Sequence, residues 1–66
     1  MNKENLIKAI QDAIGATEDA DYYVYEALEK LLLYGDVKLI EKMQDVRANL
    51  IRAIRIADEI LQQIEE

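Results

Sequence analysis

"LLYGDVK", residues 32–38, decides how this chain folds. Gly35 can take the left-handed conformation that ends a helix, because it has no Cβ to clash with the following carbonyl. Asp36 is suited to begin the next helix, since its carboxylate can accept a backbone N–H of the first turn. A break of two residues joins two helices that run antiparallel. The chain has 66 residues, so this break lies close to its middle.

On either side the apolar pattern is helical. Leu6, Ile10, Ala13, Thr17, Ala20, Val24, Ala27, Leu31 and Tyr34 recur in steps of four and three. Leu39, Met43, Val46, Leu50, Ala53, Ala57, Ile60 and Ile64 do nearly the same downstream. Such heptad spacing holds an apolar seam against a partner helix. The expected domain spans 1–66, with one helix over about 3–34, a turn at 35–36 and a second helix over about 37–65. Each helix also carries a second apolar column: Ile7, Ile14 and Leu28 in the first, Ile40, Ile51, Ile54 and Leu61 in the second. Stripes this wide suit a helix that touches two neighbours, as in a four-helix bundle.

The stretch "AIGATEDAD", residues 13–21, competes with a continuous first helix. Gly15 is a possible stop and Thr17 a possible N-cap, with Glu18 and Asp19 placed to favour a helix dipole. The seam nonetheless crosses this region in register, and an interior glycine costs only about 1 kcal/mol relative to alanine. A continuous or kinked helix is the expectation. A break at Gly15–Thr17, giving a three-helix domain, is the alternative.

The composition agrees with an all-α fold and directs the search for what stabilises it. The chain is 52% hydrophobic and 33% charged, with two glycines and no proline, which leaves little loop chemistry and little reason for disorder. A domain of this size buries only about 60% of its unfolded surface. With no cysteine and no histidine, disulfides and the commonest zinc sites are excluded, so oligomerisation is the remaining means of support. Two hairpins stacked by a two-fold axis cover each other's second columns, so the expected state is a homodimeric four-helix bundle. Ala13, Thr17, Ala20 and Ala27 are small where Leu50, Ile51 and Ile54 are large, a match that lets layers interlock. In length and helical pattern the chain resembles the plasmid copy-control Rop hairpin, whose dimer is such a bundle. No motif is shared, so no functional residue is carried over.

Charge and missing residue types narrow function. The net charge is −6, which disfavours nucleic acid and anionic membrane as default partners. The charged N-terminus does not read as a signal peptide, and no uncharged run approaches the ~20 residues of a membrane span, so a cytoplasmic location is expected. Bundle di-iron sites need Glu-x-x-His pairs, which a chain without histidine cannot supply. There is no serine, one threonine and no glycine-rich phosphate loop. No catalytic, metal or cofactor residue is assigned, and an enzyme is not expected.

Three constellations remain. Asp21 interrupts the column of Ile7, Ile14 and Leu28, and is expected near Tyr25 or opposite an arginine such as Arg47 or Arg52. Lys38, Lys42 and Arg52, with Arg55 to one side, form a basic strip on the second helix, the candidate contact for RNA or DNA in the alternative reading. With Val24 at the centre of the apolar stripe, steps of 100° scatter the tyrosines of "DADYYVYEALEK", residues 19–30. Tyr23 and Tyr25 fall at the edges of the core. Tyr22 points outward, with Leu33 three turns on and Glu26 and Glu29 around it. An aromatic and a leucine on a charged surface make a candidate contact for another protein. Val37 and Ile56 lean outward on the second helix.

Overall fold

The computed structural model describes residues 2–66 and consists of two helices, α1 (Lys3–Tyr34) and α2 (Val37–Glu65), packed as an antiparallel hairpin. It measures 49 × 15 × 13 Å. The ends are made by the groups that physics asks for. Asn2 caps α1 by accepting the Glu4 backbone N–H at 2.8 Å. Gly35, at φ 87°, closes α1 and donates its N–H to the Leu31 carbonyl at 2.9 Å. The Asp36 carboxylate accepts the Leu39 N–H at 3.2 Å and starts α2.

The first helix is continuous through Gly15. Thr17 is not an N-cap: its hydroxyl donates to the Ala13 carbonyl one turn back at 2.8 Å, an arrangement found inside helices. Nothing lies within 4 Å of where a Cβ on Gly15 would stand. The two glycines therefore respond oppositely to the same substitution. Gly15→Ala should raise stability by about 0.5–1 kcal/mol, because the unfolded chain loses freedom and the helix loses nothing. Gly35→Ala should lower it by about 1 kcal/mol, because a Cβ is strained at positive φ. Chemical denaturation of both variants checks the pair, and a loss in Gly15→Ala contradicts the continuous helix.

The buried seam follows the expected one over most of α1 and is rotated from it on α2. On α1 its partly or fully buried positions are Ile7, Ile10, Ile14, Thr17, Asp21, Val24, Leu28 and Leu31, and Leu6, Gly15, Ala20, Glu26 and Ala27 beside them are also partly buried. On α2 they are Ile40, Met43, Arg47, Leu50, Ile54, Ala57, Leu61 and Ile64. With the turn at 35–36, residues whose numbers sum to about 71 share a level, so each member of one set faces one of the other. The expected seam is therefore kept on α1 except at Ala13 and Tyr34, while half of it is displaced on α2. Ala13 and Tyr34 on α1, and Leu39, Val46, Ala53 and Ile60 on α2, are exposed. The columns containing Ile7, Ile14, Leu28 and Ile40, Ile54, Leu61, read as secondary, also help hold the hairpin together, although Ile51 stays exposed. Both registers satisfy a heptad. The one adopted places a polar pair inside, described below.

The core within one hairpin is thin. Leu28 is the one buried hydrophobic residue among the described residues, at 9% exposure.

Candidate interaction surfaces

The columns of Leu6 and Leu39 share one face. Leu6, Ala13, Ala20 and Ala27 each precede a seam residue of α1 by one position and Tyr34 ends the same column, with Leu6, Ala20 and Ala27 half-buried and Ala13 and Tyr34 exposed. Leu39, Val46, Ala53 and Ile60 each precede a seam residue of α2 by one position. Reversing a helix and turning it to face its partner are two mirror operations that cancel, so both columns lie on the same side of the hairpin. Neither column contains a charged residue. The opposite flank, formed by Glu4, Gln11, Glu18, Tyr25 and Leu32 with Val37, Gln44, Ile51, Asp58 and Glu65, is acidic toward the open end. The uncharged face is bulky at both ends and small at its waist, where Ala13, Ala20 and Ala53 lie.

A polar layer sits inside the seam. Arg47 donates from Nε to Asp21 Oδ1 at 3.3 Å, joining the two helices across the hairpin. The Arg47 guanidinium also lies 5.4 Å from the centre of the Tyr25 ring, within cation–π range. This meets the expectation that Asp21 would find Tyr25 or an arginine. Partly wet ion pairs contribute little net stability. In this register the carboxylate and the guanidinium meet across the hairpin, so neither is left half-buried without a partner.

The back of α1, away from α2, presents the residues expected to contact a protein. Tyr22 is 59% exposed and Leu33 is 90% exposed. A shallow groove beside Leu33 is lined by Glu26, Glu29, Lys30 and Leu33. The rings of Tyr22 and Tyr23 meet edge to face at 5.6 Å and 76°, an arrangement that restrains both. The Tyr22 phenol keeps its proton above the usual tyrosine range, first through hydrogen bonding toward the Glu26 carboxylate, then through the charge of Glu26 and, more weakly, of Glu29.

The back of α2 carries the basic strip. Lys38, Lys42, Arg52 and Arg55 are all exposed. Among the described residues the salt bridges are Lys8–Asp12 at 3.0 Å and Asp21–Arg47, so none of these four cations is in one. Arg52 Nη2 donates to Asn49 Oδ1 at 3.2 Å. Val37 and Ile56 are exposed, as expected from their positions. Leu32 and Tyr34 are also exposed, although the heptad spacing put Tyr34 in the seam. The run "LLLY", residues 31–34, turns every side of the last α1 turn apolar, and that pattern signals contact on more than one side.

No helix among the described residues is long and apolar enough to cross a membrane. No group of three potential metal ligands forms among them. No family model, curated protein or solved structure matches the chain.

Proposed function

We propose that this protein is a small, non-enzymatic, regulatory interaction protein that acts as a homodimeric four-helix bundle. The observation that carries the reading is the uncharged face shared by α1 and α2. Two chains of charge −6 each repel unless they meet on a surface without charge, and this face supplies one. Its extent supports the same occupant. A face of 49 × 15 Å projects to roughly 700 Å², close to the ~800 Å² that each partner of a stable complex buries. Small residues at the waist let the paired helices approach closely, while the bulky ends fill the space around them. The dimer leaves the back of α1 in solvent. There Tyr22, Leu33, Glu26 and Glu29 are available to a further protein.

A second reading rests on the back of α2, where Lys38, Lys42, Arg52 and Arg55 stand free of salt bridges. A bundle would present this strip twice to the phosphates of RNA or DNA. The two readings separate in a salt titration with labelled RNA and DNA duplexes, followed by fluorescence anisotropy. The interaction-protein reading expects no binding even at low salt. Binding that falls steeply with salt, and is lost in Lys42→Glu combined with Arg52→Glu, overturns it in favour of the basic strip.

A further inference from the structure

We propose that the back of α1 docks a cationic amphipathic helix from another protein, and that Tyr22, Glu26, Glu29 and Leu33 read it. This rests on the interaction-protein reading above and names the chemistry of the partner. The four residues form one column. At 100° per residue, Glu26, Glu29 and Leu33 lie within about 40° of Tyr22 around the helix. Tyr22 and Leu33, eleven residues apart, are separated by roughly 16 Å along the axis. In order, the column presents an aromatic anchor, two carboxylates and an aliphatic anchor.

The carboxylates are not neutralised from within. Neither Glu26 nor Glu29 is in a salt bridge among the described residues, and the nearest cation lining the groove is Lys30. Both ends of the column are exposed apolar groups, one a leucine almost wholly in water. A surface of apolar ends and acidic middle is complemented by a helix with apolar residues at positions 1 and 12 and cations at 5 and 8 of the same face. Helices lying in grooves are recognised through such spaced anchors, with charge setting which helices are admitted. Anionic membranes and nucleic acid are opposed by the same two carboxylates. The restrained Tyr22 ring adds contact area at little entropic cost.

The test uses the full chain and a synthetic alanine-based helix of about 20 residues, carrying Leu at positions 1 and 12 of one face and Arg at 5 and 8. A matched peptide has Glu in place of the two Arg. The Arg peptide should bind and the Glu peptide should not. Leu33→Ala should weaken binding by at least about tenfold, as loss of an anchor does. Glu26→Lys with Glu29→Lys should abolish it, and Lys38→Ala with Lys42→Ala, on the opposite helix, should leave it unchanged. Failure of the Arg peptide to bind overturns the proposal. So does equal binding of the Glu peptide, binding indifferent to Leu33 and the two glutamates, or Leu33-dependent capture by neutral lipid vesicles. Sedimentation of each variant distinguishes the two levels of the account. A dimer that ignores the Arg peptide overturns the docking site alone, and a monomer that binds it overturns the dimer alone.

Discussion

Val46→Asp is expected to separate the dimer and, with it, to melt most of the helix. Within a single hairpin Val46 is 44% exposed, and a polar residue there should cost little. In a bundle closed over the uncharged face, the same aspartate is forced against apolar side chains. Burying an unpaired carboxylate costs several kcal/mol. A protein of this size has in total only about 3–10 kcal/mol to lose. The far-ultraviolet circular dichroism of Val46→Asp should therefore show a large loss of helix at concentrations where the wild type is folded. Val37→Asp is the paired control. Val37 is more exposed still, at 65%, but lies on the opposite flank, which the dimer leaves in water. It should change stability by no more than about 0.5 kcal/mol. If the two substitutions behave alike, the uncharged face is not an interface.

Leu28→Ala should have the second-largest effect. Leu28 sits at the level of Met43 and is the most enclosed apolar side chain of the hairpin. Removing its outer carbons forfeits their transfer free energy and leaves a void that two long helices cannot close without bending. A cost of about 2–3 kcal/mol follows, at the lower end of the usual range because the surrounding core is thin. Thermal melting should fall by roughly 10 °C or more. Leu33→Ala, the same change five residues later, removes a side chain that is 90% exposed and should leave the melting temperature nearly untouched. That contrast also protects the docking test, since loss of binding in Leu33→Ala then reports on contact and not on folding.

Most of the fold is legible in short-range chemistry. Gly35 and Asp36 mark the turn because each has a conformational or capping property that its neighbours lack. The helix limits 3–34 and 37–65 follow from caps and periodicity. The continuity of α1 through Gly15 is legible because a chain reversal has no reason to keep the heptad in step. The rotation of each helix is not legible by counting apolar residues. The columns of Leu6 and Ile7 differ by one position, and each makes a heptad with Ile10, Thr17, Val24 and Leu31. Counting favours the column that lacks Asp21, whereas the folded hairpin takes Asp21 inside, where Arg47 meets it. The signal lay in pairing the two charged interruptions across the turn at once. Arg47 interrupts the column of Ile40, Ile54 and Leu61 as Asp21 interrupts that of Ile7, Ile14 and Leu28.

The candidate surfaces divide in the same way. Tyr22 and Leu33 were legible as outward residues because helical geometry alone sets their direction. The exposure of Tyr34 was not, because it depends on which column the hairpin buries. Placing Tyr34, Leu39, Val46 and Ile60 on one open face is what turns an apolar stripe that looked satisfied into one that still needs a partner.

The most direct test is sedimentation equilibrium of the unmodified protein at micromolar concentration. The account predicts a folded species of about 15 kDa, twice the 7.6 kDa of one chain. A fully helical species that stays at 7.6 kDa under those conditions contradicts it.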